Sequence, residues 1–184
     1  MRAPYLFAVL AVLAMGGCKP KAEVAAIPAP HNLTDGDLAH FCNMAVTEHG
    51  GPKGQVLLKG DPLPVWFASV RDTVAYTLLP EEPKDIAAIY VTDMDKLNDQ
   101  HHPPAGSWID ARTAFYVVGS GKHGAMGGVE LFPFGTEAGA RAFAQAHDGT
   151  VVRYADIRKD QVFEEDDRGP AGQDTAGRTA GGAS

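Results

Sequence analysis

Cysteine is scarce in this chain, two residues in 184. That is too few for a disulfide framework, so the fold must rest on an ordinary apolar core. Positive charge is also short: 16 Lys and Arg stand against 23 Asp and Glu, a formal charge of −7. Nucleic acid is therefore excluded as an expected partner, because phosphate has to be offset by basic surface. The apolar run from Tyr5 to Met15 is too short to span a bilayer as a helix, which takes about 20 residues. There is no G-x-S-x-G elbow, no phosphate loop and no HExxH pair, so the usual catalytic signatures are missing and an enzyme is not expected.

What is present begins at the N-terminus. Met1-Arg2 is a short positive segment, Tyr5 to Met15 is apolar, and Gly16-Gly17 puts two small residues before Cys18. This reads as a bacterial lipoprotein signal over residues 1–17, with Cys18 as the lipidated residue. Met15 stands where such signals usually have Leu, and an ordinary cleaved signal is the alternative. Removing residues 1–17 costs one charge, Arg2, and takes the formal charge to −8. Attachment to the envelope membrane is then expected to come from acyl chains rather than a basic patch, on the periplasmic side. Residues 18–32 are rich in Pro, Ala and Lys without periodicity and read as a flexible tether. Residues 164–184 are acidic, Gly- and Ala-rich, and nearly free of large apolar side chains, the composition of a disordered tail.

The folded unit is expected over residues 33–163, with a weak internal repeat. Gln55–Leu58, Val65–Phe67 and Ile86–Val91 read as strands. Between the second and third, Ser69 and Asp72 mark the start of a helix reaching about Leu79, with Pro80 and Pro83 beyond it. Its apolar face would be Val70, Val74, Tyr76 and Leu78. The order repeats with strands at Ala114–Val118, Val129–Phe134 and Val151–Tyr154. A second helix, capped by Thr136, would run to about His147 with Ala138, Ala142, Phe143 and Ala146 inward. The prediction is an α+β fold of two tandem β-β-α-β lobes, lobe one about 33–95 and lobe two about 108–163, joined by a loop from Asp95 to Trp108.

With Cys18 taken by lipid, Cys42 has no partner thiol. It sits in His40-Phe41-Cys42-Asn43-Met44. Thiolate and thioether are soft ligands, which select Cu(I). On extended backbone, residues two apart share a face, so Cys42 and Met44 could meet one ion. Zinc would want four ligands, usually several Cys or His, which this segment does not offer. The residues alone leave a plainer reading open, with Cys42 a small buried apolar group and Met44 core filler. Met126 lies in a glycine-rich loop, Gly119 to Gly128, and is either a third sulfur ligand or a hydrophobic plug. His40 and His123 are further candidate ligands.

Several segments together resemble one family. They are the lipoprotein start, the C-x-M after a Pro/Ala tether, Pro52-Lys53-Gly54-Gln55, Trp66-Phe67-Ala68-Ser69-Val70-Arg71-Asp72, Ile89-Tyr90-Val91-Thr92-Asp93, Ala114 to Ser120, and Met126-Gly127. The pattern is similar to the NosL family of copper-chaperone lipoproteins that accompany nitrous-oxide reductase, over about residues 33–160. The resemblance implies two β-β-α-β lobes. It implies Cu(I) held by Cys42, Met44 and Met126 and delivered to apo nitrous-oxide reductase for its copper–sulfide centre, with a membrane ABC-type complex as second partner. The family's Cys-Gly-Met appears as Cys42-Asn43-Met44, and Ala125 stands where Pro often precedes the second-lobe methionine. Two competitors are a thiol-dependent organometal lyase, which would want a second cysteine in the mature domain, and a passive metal-binding lipoprotein of the envelope.

Overall fold

The computed structural model describes residues 26–125 and 127–163. The expected signal peptide, Cys18, the start of the tether, Met126 and the C-terminal tail lie outside the described residues.

Two antiparallel sheets, each with one helix, make up the fold. The first has the order β2-β1-β3-β4, from β1 (Gly54–Leu58), β2 (Val65–Phe67), β3 (Ile86–Thr92) and β4 (Trp108–Asp110). Helix α1 (Val70–Leu78) follows β2. Ser69 caps it, its Oγ accepting the Asp72 N–H at 3.0 Å, which satisfies one of the free donors at a helix start. Gly54 in β1 is required by α1: a Cβ there would stand 1.9 Å from Thr73 Oγ1. The second sheet has the order β6-β5-β7, from β5 (Phe115–Val118), β6 (Phe132–Phe134) and β7 (Thr150–Arg153), with α2 (Glu137–His147) capped by Thr136. The α+β class and the doubled β-β-α-β order are as expected.

Four expectations change. Trp108–Asp110, placed at the junction of the linking loop and lobe two, is a strand that completes the first sheet by pairing with Tyr90–Thr92. Three residues carry no period of their own, so only the pairing reveals it. Strand β6 is shorter than expected; its Pro133 is tolerated because β6 is an edge. The inward face of α2 is Ala140, Phe143, Ala144 and His147, while Ala138, Ala142 and Ala146 are exposed. Alanines lie on every face of this helix, so the one aromatic, packed on Phe132 and Phe134 at ring distances of 4.8 and 5.3 Å, sets the rotation. Finally, the last part of the expected tether is docked. Gln55 bridges both backbone groups of His31, and Tyr90 donates to the Pro28 carbonyl at 2.7 Å.

One apolar cluster runs through both lobes, from Val56, Phe67, Val74 and Tyr76 to Tyr116, Leu131 and Val162. Two carboxylate joints reinforce it. Asp93 Oδ1 accepts the Gly135 N–H at 2.8 Å, and the Thr136 hydroxyl donates to Asp95 Oδ2 at 2.7 Å. Gly135 and Gly139 leave room for these carboxylates, since a Cβ would stand 2.5 and 2.1 Å from them. The second joint is Glu130, whose Oε1 accepts the Arg71 N–H at the start of α1.

Candidate metal centre

Residues 38–45 form a small hairpin on the edge of the first sheet. Leu38 pairs with Ala45, the Ala39 N–H donates to the Met44 carbonyl at 2.9 Å, and the His40 N–H donates to the Trp66 carbonyl of β2 at 2.8 Å. Cys42 lies in the turn as an unpaired, half-buried thiol, packed against the cluster of Ala39, Val46, Trp66, Ala68 and Trp108. Phe41 and Met44 beside it are 44% and 40% exposed. Large apolar side chains this open, around a thiol, leave its surroundings accessible to a partner.

The backbone between the two sulfurs is not extended, contrary to the expectation. Asn43 has φ +56°. The chain must reverse between Ala39 and Met44, and a left-handed residue closes that turn. Strand alternation therefore does not place Cys42 relative to Met44; the turn does. The same angle accounts for Asn at the middle of the motif: Gly adopts it freely, and Asn is among the few other residues that tolerate it.

His40 is turned toward Glu82, with Nε2 and Oε1 3.0 Å apart, and stacks edge-on to Tyr76 at 5.2 Å. One of its ring nitrogens is thus already partnered. His123 lines a different space, a cavity of about 510 Å³ between the lobes, with Met94, Lys122 and His147. Among the described residues, no three His, Cys, Asp or Glu side chains gather as a metal site.

The glycine loop is itself a turn. His123 pairs with Val129, and the Gly124 N–H donates to the Gly128 carbonyl at 2.9 Å. Met126 is outside the described residues, but its neighbours are not. Gly124, Ala125 and Gly128 border Arg71 and Asp72 in the first turn of α1. Phe41, next to Cys42, borders the same two residues from another side. Phe41 of the Cys42 hairpin and the glycine loop thus line two separate grooves that share Arg71 and Asp72.

Two buried charges beside this region escaped the sequence reading, which took Glu130 as a strand residue and Lys53 as part of the approach to a strand. Lys53, fully buried, donates from Nζ to the His49 and Gly51 carbonyls. Burial pulls its pKa down to about 8, with Glu130 opposing the shift. Glu130 is 3% exposed. Burial pushes its pKa up to about 7, against the N–H groups of Arg71 and Leu131 that favour the carboxylate. The signal was there to use: Glu130 sits between Val129 and Leu131 in an apolar segment.

These features define a class: a two-lobed α+β protein with a half-buried thiol on an edge hairpin and a glycine-rich loop beside the start of α1. The NosL family model matches residues 30–162. The copper-binding lipoprotein NosL of Achromobacter cycloclastes is 39% identical over 163 residues, covering 88% of this chain and 83% of that protein. The protein of the same name from Stutzerimonas stutzeri is 38% identical, covering 83% and 78%. The crystal structure of the copper chaperone NosL from Shewanella denitrificans superposes with a TM-score of 0.66 at 32% identity, covering 74% of this chain and 99% of that one. The chain belongs to the NosL family. No helix of the described residues is long and apolar enough to cross a membrane.

Proposed function

We propose that this protein is a periplasmic copper carrier, anchored to the envelope membrane by lipid on Cys18, that holds Cu(I) at Cys42, Met44 and Met126. It delivers the ion to apo nitrous-oxide reductase for assembly of the copper–sulfide centre, working beside a membrane ABC-type complex. The observation that carries this reading is the unpaired, half-buried Cys42 on a hairpin turn with an exposed Met44 beside it. Relatives named as copper-binding lipoproteins and a copper chaperone support it.

The chemistry suits a carrier better than an enzyme. A thiolate gives Cu(I) an anionic anchor, and neutral thioethers complete a soft, low-coordinate site. An exposed site can take an incoming ligand before the old one leaves, so the ion passes by exchange and need never be free. The lyase alternative wants a second thiol, and Cys42 is the sole cysteine after Cys18.

Competition titration with a Cu(I) chelator tests the reading. One ion per chain is expected, with most affinity lost in Cys42→Ala and a smaller loss in Met44→Ala or Met126→Ala. Unchanged binding in Cys42→Ala would sink it. X-ray absorption fitted by nitrogen and a single sulfur would move His40 or His123 ahead of the methionines. Cys18→Ser tests the anchor; wild-type partitioning into membranes with the signal removed would refute it.

A further inference from the structure

Glu130 is a carboxyl group removed from water, and no ion pair among the described residues includes it. Burying such a group is costly, so its hydrogen bonds have to account for it. Oε1 accepts from Arg71 N–H and Leu131 N–H, both at 2.9 Å. The first of these bonds crosses from lobe two to lobe one. Oε2 lies under the glycine loop: a Cβ added to Gly124 would stand 3.0 Å from it, and 3.4 Å from the Glu130 Cβ. One side of the carboxyl group therefore holds the start of α1, and the other seats the loop. The same helix turn, at Arg71 and Asp72, borders Phe41 of the Cys42 hairpin.

We propose that Glu130 is a positioning residue for the metal site: it sets the glycine loop of lobe two against the first turn of α1, whose Arg71 and Asp72 share a groove with Phe41 of the Cys42 hairpin of lobe one. The inference rests on the reading that Met126, within that loop, serves with Cys42. A site assembled from two lobes binds in proportion to the fraction of molecules in which both parts are in place. Glu130 holds that fraction high without touching the ion.

Cu(I) competition titration of the full-length chain in detergent tests this, each variant being checked for folding by circular dichroism. Glu130→Ala is expected to weaken binding about tenfold, through loss of the competent fraction. Combined with Met126→Ala it should be no weaker than the weaker single variant, because both act through one loop. Glu130→Gln keeps an oxygen for the Arg71 and Leu131 N–H groups and should rescue affinity. Gly124→Ala reaches the joint from the loop side, leaves the α1 hydrogen bond in place, and should weaken binding in the same non-additive way. Additive losses for Glu130→Ala and Met126→Ala, or a Gln variant as weak as the Ala variant, would overturn the inference. If Met126→Ala weakens binding and Glu130→Ala does not, the Glu130 role alone fails. If Met126→Ala changes nothing while Cys42→Ala abolishes binding, the three-sulfur reading fails and this inference falls with it.

Discussion

The two β–α turns, Phe67-Ala68-Ser69 and Phe134-Gly135-Thr136, are equivalent in the repeat, and each is held by a carboxylate from the opposite lobe. The turn into α2 is held by Asp93 and Asp95, with Lys96 Nζ 3.6 Å from Asp93 Oδ2. Gly135 and Gly139 give these acids room. The turn into α1 is held by Glu130, buried, with its pKa raised to about 7. One joint is a buried acid, Asp93, paired with Lys96 and joined by the exposed Asp95 carboxylate. The other is an acid in the interior, beside the glycine loop, that changes charge near neutral pH. Repeating an architecture has not repeated its electrostatics, and the proposed metal loop sits on the joint with the less settled charge.

The largest expected effect separates the joints by pH. A Glu raised from 4.5 to about 7 on folding binds its proton more tightly in the folded state. Its contribution to stability is therefore present at low pH and lost as pH rises through about 7. Glu130→Gln should match wild type near pH 5 and exceed it at pH 8 by up to about 3 kcal/mol. Lys53, lowered from 10.5 to about 8, works the other way: its contribution recovers as pH rises from about 8 toward 10.5. These two groups together place a stability minimum between about pH 7 and 8, and urea unfolding across pH 5–10 measures it. A flat difference between Glu130→Gln and wild type would mean that Glu130 does not titrate in that range.

Asp93→Ala should do the opposite of Glu130→Gln. It removes the acceptor for the Gly135 and Asp95 N–H groups and should cost about 2 kcal/mol at pH 7. Equal signs for the two substitutions at pH 8 would erase the distinction between the joints. A smaller effect belongs to the hairpin. Asn43→Ala should cost about 1 kcal/mol because φ is positive, while Asn43→Gly stays within about 0.5 kcal/mol. A free Asn43→Ala substitution, read from thermal melts, would show that the turn does not need a left-handed residue.

Lobe architecture was legible because its signals are local. Ser69 and Thr136 were readable as caps, the branched and aromatic runs at Ile86–Val91 and Ala114–Val118 as strands, and Pro80 as a stop. Each depends on neighbours a few residues away. The candidate ligands Cys42 and Met44 were legible by element type: sulfur is rare here, and its chemistry is narrow.

What the sequence by itself determined is thus the doubled β-β-α-β order and the candidate soft donors. Only the tertiary structure decided the rest. Trp108–Asp110 became a strand because β3 offered a free edge. The α2 helix turned on Phe143 because alanines bury too little area to choose a face. The Cys42 turn needed Asn43 left-handed because the chain closes between Ala39 and Met44. Glu130 became a buried charge where the lobes join, bonded to the Arg71 N–H, and Lys53 became one held by the His49 and Gly51 carbonyls. These outcomes are set by pairing and packing that exist only in the folded chain, within a lobe for β4, α2 and the Cys42 turn and between lobes for Glu130, and so leave no periodic trace in the sequence.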